Sequence, residues 1–341
     1  MTTPAERATP LLAVAGPTAV GKSAAVLDLA DLLAHEGVRF VIVSADSRQV
    51  FRGFDIGTDK ITVEERARHP HAGIDVTEAD RPFTLYDWLS IARDAITSGG
   101  NQAQPELAVV VGGTGLYHRG LLRGFLSGGA RPHDAELRQR LERTLEDEGR
   151  DYLQAQLHAL HPKAADAVAT ASARRLIRSL EIVQLGGDPM AVEEDPWPAP
   201  YAYVLLDRPD KPAHREAIAA RAARQFANGL VAEAELLAAR LAADTPALSG
   251  IGYREALLYR RGEIDEQKAI ALSAARSWEY ARRQSTWFRS ESITATIPAD
   301  SNRSVRHVAN ELLDHVHTIM SRSEEHTSEL QSHVRISYAV F

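Results

Sequence analysis

The residues most suited to chemistry stand early in the chain. Gly16, Pro17, Thr18, Ala19, Val20, Gly21, Lys22 and Ser23 fit the spacing G-x-x-x-x-G-K-[ST], after an apolar run and before a helical pattern. The backbone N–H groups of such a turn, with the N-terminus of the following helix, form a cradle for anions. Lys22 adds a point charge for phosphate, and Ser23 adds a hydroxyl able to hold Mg²⁺. The pattern specifies a polyphosphate without saying which one. Asp46 closes a second apolar run. In that place a carboxylate can organise Mg²⁺, act as a general base, or simply cap a turn.

The elements that must position these groups follow from the pattern. Leu11–Ala15, Phe40–Val43 and Leu107–Val111 read as buried strands, each running into a polar or glycine-rich loop. Ser23–His35 and Leu85–Thr97 between them read as helices. Strands alternating with helices predict an α/β fold, a P-loop NTPase-like parallel sheet flanked by helices. On such sheets ligands bind at the carboxyl ends of the strands, where these loops lie. From about Phe125 the texture changes to charged amphipathic helices, Asp134–Glu148 and Ala171–Leu185, and the Pro-rich Asp195–Pro200 closes the stretch like a linker. Strand character returns at Tyr201–Leu206, and helices dominate His214–Arg289. The expected organisation is a core of residues 1–124 and 201–321 carrying an all-helical insertion domain at 125–200. Residues 322–341 read as a common sequencing adaptor translated in one frame, and fold reasoning excludes them.

The segment from Ser44 to Lys60 resembles D-S-x-Q-V-[YF]-R-G-x-D-I-G-T-x-K, the signature of the tRNA dimethylallyltransferase (IPP transferase) family. Further segments match in order. His69–Asp75 is similar to P-H-H-L-I-D, with Ala72 where a second His is usual. Val111–Tyr117 matches V-G-G-T-G-L-Y, and Arg174–Glu181 resembles R-R-[IV]-x-R-A-L-E. Leu248–Arg254 and Arg283–Arg289 resemble late family segments. The likeness spans about Leu11 to Arg289.

The resemblance implies attack by the N6 amine of adenosine on C1 of dimethylallyl diphosphate, in the tRNA anticodon stem-loop, immediately 3′ of the anticodon. It implies tRNAs reading codons that begin with U, Mg²⁺ as cofactor, and a phosphate loop holding a prenyl diphosphate instead of ATP. Asp46 is then the base, Arg221 a clamp on diphosphate, and Thr114 an orienting hydroxyl. Asp46, Ser47, Arg48 and Gln49, with Arg174, Arg175 and Arg178 on one face of a helix, are the implied tRNA contacts. Transfer to a free adenine nucleotide is the alternative, and the helical insertion favours tRNA. A P-loop kinase would need a nucleobase pocket and a phosphoryl acceptor site, for which the sequence offers no sign. A non-catalytic RNA-binding module is hard to reconcile with Asp46 beside an intact Lys22.

Composition bounds these readings. The chain has 341 residues, 44% hydrophobic and 25% charged, with net charge −7 and no cysteine. Disulfides, thiol nucleophiles and cysteine-held zinc are therefore excluded. The net charge argues against a wholly basic surface, although a local patch of arginines can still bind phosphates. No stretch reaches the roughly 20 apolar residues of a membrane-spanning helix. A cytoplasmic, monomeric protein is expected.

Overall fold

The computed structural model describes residues 8–98, 104–124, 134–191, 195–300 and 303–338, with the side chains of 326–338 outside that description. The switch expected near Phe125 also falls outside the described residues. Six parallel strands form one sheet in the order β3-β2-β4-β1-β5-β6. They are β1 Leu11–Ala15, β2 Phe40–Ser44, β3 His71–Ala72, β4 Leu107–Gly112, β5 Tyr201–Asp207 and β6 Ala295–Pro298. β1 lies in the middle, with Leu11 opposite Ala108 on β4 and Tyr201 on β5. All five of its residues are buried. A central parallel strand has helices over both faces, so a continuous Leu/Val/Ala run suits it better than alternation does.

On one face α1 (Lys22–His35) lays Val26, Leu29 and Leu33 over Leu12, Val14 and Val109. α12 (Val305–Tyr338) joins the same cluster through Val308, Leu312, Val316 and Ile319. This helix continues unbroken through Arg322. Toward the other edge, α3 (Leu85–Thr97) buries Trp88, Leu89, Ala92 and Ile96. Thr84 and Asp87 form a reciprocal capping box at its start, which satisfies donors that a bare helix end would leave unpaired. Trp88 stacks on Tyr117 of α4 (Gly115–Arg119) at 4.4 Å and donates from Nε1 to the Ser44 carbonyl at 2.8 Å. Thus α3 fixes the end of β2, next to Asp46.

A second cluster gathers Phe54 with α8 (Lys211–Ala227), α9 (Leu230–Ala238), α10 (Tyr253–Arg260) and α11 (Glu266–Phe288). The short helix α2 (Val63–Arg68) precedes β3.

The chain divides into two units, one running to Gly120 and resuming at Trp197, the other Leu121–Pro196. The second unit is helical: α5 (Ala135–Leu160), α6 (Pro162–Val168) and α7 (Ala173–Gln184) pack Leu141, Leu153, Leu157, Leu176 and Leu180 together. α5 breaks at Gly149, whose φ of 82° is left-handed. The Pro-rich Asp195–Pro200, read as a linker, contains the boundary between the two units, and its second half is anchored. Trp197 is 6% exposed, and its Nε1 donates to the Thr9 carbonyl at 3.0 Å. Burying an indole outweighs the freedom that its flanking prolines suggest.

Candidate active site

The site is assembled at the carboxyl ends of β1, β2 and β4. Directly after β1 the chain turns at Gly16, where a Cβ would come within 2.3 Å of the Leu206 carbonyl oxygen. Ala19 (φ 63°) and Gly21 (φ 88°) are both left-handed. Left-handed residues in such a turn direct successive N–H groups inward as an anion nest. Lys22 opens α1 and folds back over the loop, donating from Nζ to the Pro17 carbonyl at 2.8 Å. Burial pushes its pKa down to about 8, and the Arg221 cation reinforces the shift against the opposing pull of Asp46 and Asp59. The loop is thus a preformed cationic cradle whose charge is costly until an anion arrives.

The loop is braced from two sides by residues that its own sequence does not reveal. Gln284 of α11 is 6% exposed. Its Oε1 accepts from the Thr18 N–H, and its Nε2 donates to the Gly113 carbonyl, both at 2.9 Å. One primary amide therefore ties the phosphate loop to the loop after β4. A carboxamide is required, since one partner is a donor and the other an acceptor. On the other side, His214 of α8 hydrogen-bonds the Thr18 carbonyl through Nε2 at 2.8 Å. Burial lowers its pKa.

Asp46 follows β2 and accepts the Arg48 N–H on Oδ1 at 2.8 Å. Ser47 donates its N–H to Thr114 Oγ1 at 3.0 Å, and Thr114 donates its N–H to the Ala45 carbonyl at 3.0 Å. The loops after β2 and β4 are thereby zipped together. Tyr280 of α11 shares a hydrogen bond with the Thr114 side chain, and its hydroxyl pKa is raised to about 12 by burial and by the Asp46 charge. The phenol stays protonated beside the carboxylate. Arg221 of α8 donates to Thr18 Oγ1 at 2.5 Å and to the Thr58 carbonyl at 3.4 Å, with Asp59 Oδ2 at 3.5 Å.

A cavity of about 460 Å³ unites most of these groups; Thr114 and His214 stand behind its wall and do not line it. Thr18, Lys22, Ser23, Asp46, Ser47, Arg48, Gln49 and Arg221 all line it, beside an apolar wall that includes Val26, Leu27, Ile42, Phe54, Ile61 and Ile74. The Ser23 hydroxyl and the Asp46 carboxylate are hard oxygen donors in one cavity, the donor chemistry Mg²⁺ prefers. Gly16 and Pro17 begin the loop, and Ala19, Val20 and Gly21 complete the turn. Val20 is turned into the core at 2% exposed.

Arg174, Arg175 and Arg178 belong to the helical unit. Arg174 and Arg175 are exposed on α7. Arg178 is half-buried and paired with Glu181 at 2.7 Å, and Arg138 holds the same carboxylate at 2.6 Å. The three arginines thus divide into two that face solvent and one that braces the unit. Tyr280, Gln284 and His214 gave no sequence signal by themselves. Gln284 does sit in a segment that resembles the family's late motif, which is where a search could have found it.

A parallel sheet whose central strand feeds a G-x-x-x-x-G-K-S loop, with a carboxylate at the end of β2, one strand beyond β4, defines a P-loop enzyme of the α/β class. Within that class, residues 49–291 match the family model described as IPP transferase, and the chain belongs to that family. It is 41% identical over 287 residues to a tRNA dimethylallyltransferase of Anaeromyxobacter dehalogenans, covering 82% of this chain and 92% of that one. It is 39% identical over 296 residues to a tRNA dimethylallyltransferase of Roseiflexus sp., covering 86% and 94%. A solved structure, the full-length tRNA isopentenylpyrophosphate transferase of Bacillus halodurans, matches with a TM-score of 0.63 at 30% identity, covering 94% of this chain and 99% of that one. Among the described residues no helix is long and apolar enough to cross a membrane.

Proposed function

We propose that this protein transfers a dimethylallyl group from dimethylallyl diphosphate to the N6 amine of an adenosine in the tRNA anticodon loop. The carrying observation is the mixed cavity. Lys22 and Arg221 form a cationic end, Asp46 supplies a carboxylate, and an apolar wall runs between Val26 and Ile74. A prenyl diphosphate offers an anion and a short hydrocarbon to the respective parts of that cavity.

An adenine amine is a weak nucleophile because its lone pair is delocalised into the ring. In the transfer, the N6–C1 bond forms as the C1–O bond to diphosphate breaks. Asp46 takes the proton that N6 must shed. The leaving oxygen gains charge, which the loop N–H groups, Lys22 and Arg221 stabilise more in the transition state than in the ground state. Thr114, held by the Ser47 N–H, stands beside Asp46 to orient the amine. Ser23 would hold Mg²⁺, which when bound would neutralise charge on the diphosphate, leaving Asp46 free to act as the base. The target base must leave its stack before the amine can enter. Arg48, Gln49 and Ser47 at the mouth, with Arg174 and Arg175 in the insertion, are the groups assigned to the RNA. With tRNA as acceptor, the expected setting is the cytoplasm.

The test is transfer of label from dimethylallyl diphosphate with Mg²⁺, offering unmodified tRNA and AMP together. Label in tRNA alone is expected. Label in AMP would place the protein on the free-nucleotide branch, and label in neither would overturn the reading.

A further inference from the structure

The segment Asp55–Lys60 forms a loop beside the cavity, and its anchoring is unusually complete. Glu233, on α9 and away from the cavity lining, accepts three consecutive backbone N–H groups: Asp55 at 3.2 Å, Ile56 at 2.8 Å and Gly57 at 3.3 Å. The hydroxyl of Tyr253, a residue 2% exposed, donates to the same carboxylate at 2.6 Å. Gln225 donates to the carbonyls of Ile56 and Gly57 at 3.0 and 3.1 Å. A Cβ at Gly57 would meet the Tyr253 ring at 2.4 Å, so the ring lies flush on the backbone. Lys60 closes the far end, its buried ammonium meeting the Phe51 carbonyl, Asp55 and Asp75 at 2.9, 2.7 and 2.6 Å. Three donors meet three acceptors there. Between these anchors Asp59 is held at φ 56°, a left-handed conformation that a non-glycine residue keeps only when its surroundings enforce it.

What the loop presents is chemical. The Thr58 carbonyl and the Asp59 carboxylate face Arg221, whose guanidinium reaches Thr18 of the phosphate loop. The carbonyls of Thr58 and Asp59 also receive Gln49 Nε2, both at 3.4 Å. We propose that Glu233, together with Tyr253, is a positioning residue for the diphosphate end of the site: it locks the Asp55–Lys60 loop, and the loop aims Arg221 at the phosphate loop. Glu233 itself touches no substrate. The inference rests on the reading of Arg221 and the phosphate loop as the donor's diphosphate site. Without the carboxylate, three N–H groups and a buried phenol lose their acceptor at once, and the loop has reason to leave its strained conformation.

The test uses the full chain and inorganic diphosphate as probe, titrated by calorimetry. Glu233→Ala is expected to weaken diphosphate binding about tenfold, the cost of losing charge-assisted hydrogen bonds at a preorganised site. Glu233→Gln, which keeps one oxygen, should fall between it and the parent. Tyr253→Phe keeps the ring over Gly57 and removes only the hydroxyl, so it should weaken binding by a smaller factor without unfolding risk. In an Arg221→Ala background all three effects should vanish, because residues acting through a shared partner are not additive. Undiminished diphosphate affinity in Tyr253→Phe and Glu233→Gln, or effects that add to Arg221→Ala, would overturn the proposal. If the parent chain binds no diphosphate, the donor reading falls instead, and amide exchange then decides the latch. Faster exchange in Glu233→Gln at both 54–60 and 16–23 supports it, and faster exchange at 54–60 alone overturns it.

Discussion

At the scale of single residues, the site separates chemistry from bracing. Asp46→Ala should lower turnover by about 10²–10⁴-fold, the range for removing a general base, while tRNA binding stays near that of the parent. Single-turnover transfer and a tRNA binding curve check this, and preserved turnover would remove Asp46 from its role. Gln284→Glu is nearly isosteric yet places an oxygen against the Gly113 carbonyl, which cannot donate. An unsatisfied buried pair costs about 1–3 kcal/mol, so transfer should drop by about 5–150-fold. Gln284→Glu kinetics equal to the parent's would show that the two loops need no strut. Lys22 makes a pH prediction. Its pKa of about 8 in the free protein means that the binding cation is present below that pH and is lost as pH rises through it. Diphosphate affinity should therefore fall above pH 8. Binding at pH 9 should also take up a proton, since the incoming anion favours the charged amine. Calorimetry in two buffers of different ionisation heat measures that uptake.

At the scale of elements, α7 carries two kinds of arginine that a sequence cannot tell apart. Spacing placed Arg174, Arg175 and Arg178 together on a helix. Burial of Glu181, 0% exposed and held by both Arg138 and Arg178, gives the third a structural task. Replacing Arg174 and Arg175 with Ala should reduce the slope of log affinity for tRNA against log salt by about 1.4–1.8, one counterion term per lost phosphate contact. Arg178→Ala should instead lower the melting temperature of the helical unit, because it strips a buried carboxylate of a partner.

The same limit explains the rest of what was and was not visible. The strands β1, β2 and β4 were readable because central parallel strands are uninterrupted apolar runs, and the phosphate loop because its glycines have fixed spacing. β3 has only two residues and β6 four, too short to carry a period. Gln284, His214 and Glu233 act on loops 171 to 266 residues distant in sequence, or on the 55–57 backbone, and no local pattern marks such reach. Trp197 was hidden by its prolines. Its ring is buried under the chain near Thr9, and composition reports the prolines more loudly than the indole.

At the scale of the whole molecule, one buried group links the site to acid stability. His118 is 0% exposed, with Nε2 hydrogen-bonded to the Gly112 carbonyl at 3.2 Å and no partner for Nδ1 among the described residues. Burial pushes its pKa down to about 4. The unfolded chain takes up a proton near pH 6.5 while the folded chain refuses it until about pH 4. Stability is therefore full above pH 6.5 and falls as pH drops through that window, by up to about 3 kcal/mol. Melting curves at pH 7 and pH 5 should show a larger drop for the parent than for His118→Gln, and equal drops would assign the acid lability elsewhere.

The sheet order also bears on how the chain is made. β1 emerges first from the ribosome, yet one of its two neighbours, β5, lies beyond the entire helical insertion. At translation rates of about 5–20 residues per second, the nascent β1 edge waits roughly 5–20 s after β4 for its partner. An open apolar edge of that kind can pair with another nascent chain. The phosphate loop that follows β1 takes its final shape only once Leu206 arrives to back Gly16. A ribosome stalled within the insertion would therefore display four of the six strands with no working cradle, and that species would be a natural client for chaperones.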